Sequence, residues 1–227
     1  MLVKDNELLI ICLNIGAYIL GALIIKATRV KYVNALIFAI LLIIAVLQIF
    51  DIDYQLYKEG SRFISFLLGP SVVAMGYMLH KQIAVIRQYL IPILVSIVVG
   101  ATINIAVINI IFSFFDVDNT LIYSIQPKSV TTAIAISLSE QNGGIVSLTA
   151  IITVFTGILG SIIGPPLLDL FKIDSPIARG LALGASAHGI GTARAVELGA
   201  KEGAVAGLAI GLMGVATSLI LLLKFRK

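Results

Sequence analysis

Charge is what this chain lacks most. Acidic and basic residues together make up 12% of its 227 residues, while 59% are hydrophobic. A soluble domain carries about 25% charged residues, so too little polar surface is present to cover a water-soluble globule. Cysteine is nearly missing as well: the single thiol, Cys12, lies in an apolar run, which excludes a disulfide framework and a cysteine-rich metal site. Alternation of polar and apolar residues, the mark of membrane strands, is not found, because the apolar runs are apolar all round. Basic residues exceed acidic ones, 16 to 12, yet no basic patch interleaves with aromatics, so no nucleic-acid partner is expected. Hydrolytic chemistry is not expected either. Lys128 and Ser129 are adjacent, Ser186 and His188 are two apart, and no carboxylate stands at short range to orient the imidazole, so nucleophile–base geometry is wanting. The chain is therefore not read as an enzyme, and neither a metal nor an organic cofactor is implied.

What is present is a series of uncharged windows, at 8–25, 32–50, 63–79, 89–115, 147–168 and 204–223, with a mean hydropathy of +1.08 for the whole chain. Each approaches or exceeds the roughly 20 residues that cross about 30 Å of hydrocarbon as a helix. The expected fold is all-α, a polytopic membrane protein forming one membrane domain over 1–227, with an N-terminal half at 1–115 and a C-terminal half at 120–227. The N-terminus has no short apolar core followed by a cleavage site and is read as a retained span.

Eight segments compete for membrane status, near 7–25, 33–50, 62–82, 89–115, 120–139, 147–166, 175–199 and 204–223. Lys26, Arg29 and Lys31, then His80, Lys81 and Arg87, and finally Lys224, Arg226 and Lys227 are read as cytoplasmic signals. Acidic loops at 51–61 and at Asp116 and Asp118 suit the outer side. An outside N-terminus and an inside C-terminus require an odd number of crossings, so one segment must dip without crossing. The choice falls on 120–139, with Pro127 as the first residue of a short helix. That helix would end near Ser139, and Lys128 and its hydroxyl neighbours make it a poor lipid-facing span. About seven transmembrane helices plus one re-entrant or broken helix result. Three crossings before residue 115 and the last three then have opposite polarity, the signature of an inverted repeat. Helix-breaking residues fall in the middle of each triplet, Gly69-Pro70 in one and Gly184 through Gly191 in the other.

Two segments carry candidate chemistry. In Pro127-Lys128-Ser129-Val130-Thr131-Thr132 a helix start combines unpaired amides, the positive end of the helix dipole, an ammonium and three hydroxyls, which suits an anion. Lys128 is also open to a structural reading, as a side chain reaching the membrane interface from a helix end. In Gly184–Glu197, Ser175-Pro176 supplies a helix start, Gly189 and Gly191 are expected to interrupt it, and Thr192 can cap the second half beside His188. Two half-helix amide ends could thus converge on one carboxylate. Arg194 and Glu197 share a helical face and are expected to pair. His188 is open between a satisfied core histidine and a substrate or proton contact. Glu140 and Gln141 close the first element as a polar turn, and Asn104, within the fourth apolar run, is expected to hydrogen-bond between helices. The candidate binding residues are Lys128, Ser129, Thr131, Thr132, Ser186, His188, Thr192 and Arg194. Pro127, Asn104, Glu140, Gln141, Glu197, Gly189 and Gly191 support them.

The strings PKSVTTAIAISLSEQNGG at 127–144, ARGLALGASAHGIGTARAVELG at 178–199 and GAVAGLAIGLMGV from 203 resemble the LrgB/CidB family. The resemblance implies a bacterial cytoplasmic-membrane protein working with a smaller LrgA/CidA-type membrane protein, in homo- or hetero-oligomers. It also implies carriage of small 2-oxo or 2-hydroxy acids such as pyruvate or glycolate, with H+ or Na+ as coupling ion. The alternative it implies is a holin- or antiholin-like regulator of murein hydrolase release and autolysis. Around the histidine this chain reads Ser186-Ala187-His188-Gly189 where the family usually has Ala-Ser-His-Ala, and it has Met78 and His80 before Lys81 where the family tends to show proline and tyrosine.

Overall fold

The computed structural model describes residues 2–28 and 35–224, and among them only helices and their connections occur. Arg29, Lys31, Arg226 and Lys227, used above as orientation signals, lie outside the described residues. Two compact units are present, Met1–Ala74 and Met75–Lys227.

In the first unit, α1 (Leu2–Thr28) packs against α2 (Ala35–Ile49), with Gly21 against the Ala35 carbonyl and the Phe38 ring. Helix α2 has 15 residues, fewer than the window suggested. Short α3 (Tyr54–Gly60) is capped by Asp53 and tied to α1 by the Tyr57 hydroxyl, which donates to Asn14 Oδ1 at 2.8 Å. The stretch expected as a span at 62–82 is instead split into α4 (Arg62–Phe66) and α5 (Leu68–Lys81), and α6 (Ile83–Gln88) follows it in the second unit. The break falls at Leu67, so Gly69 and Pro70 sit in the first turn of α5, where proline costs no hydrogen bond.

The second unit is built on three long helices, α7 (Leu90–Phe114), α10 (Val146–Leu170) and α12 (Ala200–Lys224). With the long apolar stretch of α1 at Glu7–Ala27, they are the four described helices long and apolar enough to cross a membrane. Helix α10 continues through Pro165 and Pro166, four residues past the expected end. Helices α7 and α12 run parallel, because buried clusters join Ile93 to Val205, Ile97 and Ala101 to Ala209 and Met213, and Ile105 to Leu221.

Between these helices the chain doubles back twice. Helix α8 (Asn119–Ile125), an irregular stretch at 126–131 and α9 (Thr132–Gln141) form the first excursion. Ser124 accepts a hydrogen bond from the Ile145 amide at 2.7 Å, and Ser139 lies beside Gly144 and 2.6 Å from the Thr149 hydroxyl. The chain thus leaves and returns to one place. Its far point is level with the middle of α7, since Val130 and Ala135 share a buried cluster with Ala101. Gln126, Ser129 and Val130 are buried, so the irregular backbone is shielded by protein, as polar backbone at such depth requires. A dip shielded by protein was expected here; its helix start was not. Thr131, not Pro127, is the N-cap, its hydroxyl accepting from the Ile134 amide. The Lys128 and Val130 amides bond back to Ile125 and Pro127 carbonyls as turns, and the first residue with a capping hydroxyl after those turns starts the helix.

The second excursion corrects the expected crossing at 175–199. Helix α11 (Pro176–Leu198) breaks at Ala187 and His188, whose backbone angles are φ −124°, ψ 16° and φ 41°, ψ −130°. Before the break, Gly164 faces Leu183, Gly160 faces Ala187 and Gly157 faces His188, so the first limb runs antiparallel to α10 and reaches its middle. After the break the chain reverses: Gly191 lies against the Leu183 carbonyl and Val196 against Gly203. Gly180 and Gly184 of the first limb touch the backbone of Glu202 and Ala206 in α12. A straight 23-residue helix would be about 34 Å long at 1.5 Å per residue, and could not bring Gly180 to the start of α12. Helix α11 is a hairpin.

Four described helices are long and apolar enough to cross a membrane, so neither seven crossings nor a repeat of three crossings against three is supported. Lys81 and Arg87, just before α7, and Lys224, at the end of α12, adjoin opposite ends of these parallel helices, although both sets were expected on one face.

Candidate functional site

Both excursions contribute to one cavity of about 600 Å³, lined by Asn104, Lys128, Ser129, Thr156 and Ser186 together with glycines and large apolar side chains. Lys128 and Ser129 come from the irregular stretch just before α9, and Ser186 comes from the last turn before the α11 break. Gly100, Gly160 and Gly164 line the cavity without filling it, and Leu159, Ile163, Leu167, Leu183 and Met213 form its apolar wall.

The Lys128 ammonium donates to Asn104 Oδ1 at 2.7 Å and to Ser129 Oγ at 3.2 Å. Among the described residues no carboxylate lies within ion-pair distance of it, whereas Arg179 pairs with Asp169 at 2.7 Å and Arg194 with Glu197 at 2.6 Å. Asn104 is held in turn: its amide donates to the Gln126 carbonyl at 3.3 Å, and Gln126 Nε2 donates to Asn109 at 2.6 Å. Asn104 therefore bonds between elements as expected, and its oxygen is turned to the ammonium. Ser186 Oγ donates to the Ala182 carbonyl at 2.6 Å, so its lone pairs, not its proton, face the cavity.

The other candidates do not line it. Thr131 caps α9 and Thr132 is its first residue. Buried Pro127 sits in the turn before them. His188 is buried, its Nε2 donating to the Thr153 carbonyl at 2.9 Å with the ring against Gly157. It anchors the break to α10, the core role left open above. A positive φ on a non-glycine residue costs about 1–3 kcal/mol and persists where its surroundings fix it; the bond to Thr153 and the packing on Gly157 do so here. The interruption falls on His188 and not on the flanking glycines, because what Gly191 supplies is close approach to the Leu183 carbonyl. Thr192 does not cap: it lies inside the second limb, buried, with an unpartnered hydroxyl. Arg194 and Glu197 form the expected pair. Glu140 and Gln141 are exposed at the outer end of α9, Gln141 donating to Ser137. Gln126, Thr156 and Met213 were not anticipated. Gln126 adjoins the PKSVTT string and could have been found by its place there, whereas Thr156 and Met213 sit in ordinary apolar helices and give no local signal.

Long apolar helices, two doubled-back segments and a cavity between them define an all-α membrane protein with broken elements at its centre. The LrgB-like family model matches residues 14–226, and the chain belongs to that family. It is 35% identical over 192 residues to the uncharacterized protein YxaC of Bacillus subtilis (strain 168), covering 85% of this chain and 84% of that one. It is 32% identical over 212 residues to proteins named antiholin-like protein LrgB from Bacillus mycoides (strain KBAB4) and Bacillus cereus (strain B4264), covering 93% of this chain and 92% of each. No solved structure matches.

Proposed function

We propose that this LrgB-family membrane protein carries small monocarboxylates, of the size of pyruvate or glycolate, and holds the carboxylate at Lys128. The supporting observation is the Lys128 ammonium in the cavity wall, with two neutral oxygens as neighbours and no carboxylate among the described residues within reach. An ammonium at membrane depth costs about 3 kcal/mol or more unless a counter-charge or water offsets it. A bound monoanion supplies that counter-charge, and one cation calls for one negative charge. The apolar wall suits the remainder of a short organic acid. No enzymatic step belongs to this reading. Coupling to H+ or Na+ and association with a small LrgA/CidA-like membrane protein do, as does residence in the bacterial cytoplasmic membrane.

The relatives' printed names favour a second reading, an antiholin-like regulator of autolysis with no transported substrate. Proteoliposomes separate the two. Saturable uptake of labelled pyruvate or glycolate, lost in Lys128→Ala, is the result expected of a carrier. Unsaturable leakage of dye and acid alike, unchanged by that substitution, belongs to the holin-like reading and rejects the carrier.

A further inference from the structure

The two excursions are alike in more than their breaks. Each is followed after a short connection by a long helix of 25 residues, α10 or α12, and each returns through a limb of similar length, α9 or 189–198. Each reaches the middle of a long helix and turns there: the first level with Ala101 of α7, the second level with Gly157 of α10. Their bases lie at opposite ends of α10. The first is fixed at its start by the Ser124–Ile145 hydrogen bond, the second near its finish by the Arg179–Asp169 pair.

The long helices also hold the hairpins reciprocally. Helix α10 receives the second hairpin on Gly157, Gly160 and Gly164, and α12 receives the first hairpin where Gly214 meets Ile134. Because the first limb of α11 is antiparallel to α10 and parallel to α12, those two long helices are themselves antiparallel.

We infer that 119–170 and 176–224 are two versions of one hairpin-plus-span unit inserted with opposite polarity, and that the cavity lies between hairpins entering from opposite membrane faces, each the gate to its own face. This deepens the carrier reading and, for its gating clause, rests on it. Each tip brings its own part of the wall: Lys128 and Ser129 from one side, Ser186 from the other. Moving the first hairpin opens the cavity toward the base of α8 and α9, and moving the second opens it toward the α10–α11 turn. The small residues that seat both hairpins leave shallow contacts that can slide, as alternating access needs.

The architecture is tested in full-length protein lacking its native thiol (Cys12→Ser), with single cysteines at exposed base positions. Asp118→Cys and Gln141→Cys flank the first hairpin, and Asp174→Cys and Lys201→Cys flank the second. A membrane-impermeant maleimide, applied to intact cells and to inverted vesicles, should label the first pair from one face and the second pair from the other. Labelling of 174 and 201 from opposite faces would mean that α11 crosses, and all four on one face would remove the opposed polarity; either overturns the inference. These positions report whether or not the protein transports anything. Gating is read at Ser129→Cys and Ser186→Cys: slow modification from both faces by a small impermeant thiosulfonate is expected, and modification from one face only overturns the two-gate clause while leaving the carboxylate site to be judged by uptake.

Discussion

Gly184→Ala probes the folded-back arrangement of α11 through a single atom. A Cβ at position 184 would lie 2.6 Å from the Ala206 Cα and 2.9 Å from its carbonyl carbon. Carbon atoms rest at about 3.5–4.0 Å, so the first limb of the hairpin and α12 must separate by roughly 1 Å, and both partners are backbone with no rotamer to yield. Overpacking of this kind costs about 1–3 kcal/mol, a factor of about 5 to 150 in a folding equilibrium at 1.36 kcal/mol per tenfold. Gly189→Ala is the matched control: it sits in the same hairpin, just past the break, and nothing lies within 4 Å of its Cβ position. Thermal unfolding in detergent should show a lowered transition for Gly184→Ala and an unchanged or slightly raised one for Gly189→Ala. Equal transitions would refute the reasoning, since a straight α11 would place position 184 far from Ala206.

Other perturbations address the break, the caps and the ion pairs. Gly157→Ala would put a methyl 2.6 Å from His188 Cε1 and 2.8 Å from Nε2, so the imidazole should leave the Thr153 carbonyl; the histidine ring signals in NMR should shift, and unchanged signals would contradict the anchoring role. Arg194→Gln should cost no more than about 1 kcal/mol and leave anion binding intact, because Arg194 is engaged by partly exposed Glu197; loss of binding would return Arg194 to the site. Asp118 caps α8, and the side-chain and backbone hydrogen bonds from Thr120 hold its carboxyl below the ordinary carboxylate range. A lowered folded-state value means the cap is complete above the unfolded carboxylate value near 4 and is lost only as pH falls through the lower folded one. The Thr120 amide shift should therefore titrate with a midpoint below about 4, and a midpoint above that would contradict the cap.

The long helices were legible because uncharged windows of about 18 or more residues leave a chain few alternatives. The first hairpin was legible for the opposite reason, since Lys128 and the three hydroxyls of PKSVTT are poor candidates to face lipid. Its helix start was misplaced at Pro127 because turn bonds from Lys128 and Val130 compete with helix initiation and Thr131 caps better. The second hairpin was hidden by its length: 23 residues from Pro176 to Leu198 are what a crossing needs, and the reversal rests on a non-glycine residue, His188, with a positive φ. Its signal was written in Gly180, Gly184 and Gly191, but glycines at such spacing announce only that some backbone comes close, not which one. Of the candidate site, the residues on the two tips reached one cavity, while the caps and the histidine serve the scaffold that holds those tips.

The central claim is that an unneutralised ammonium at the heart of the second unit awaits a carboxylate. Titration calorimetry of the purified protein with pyruvate, in parallel with Lys128→Gln and with Arg194→Gln as a charge-matched control, measures it most directly. Saturable binding to the parent and to Arg194→Gln, weakened at least tenfold in a Lys128→Gln protein that still unfolds cooperatively, is the predicted result. Equal binding by all three proteins, or none by the parent for any small monocarboxylate, would contradict the account.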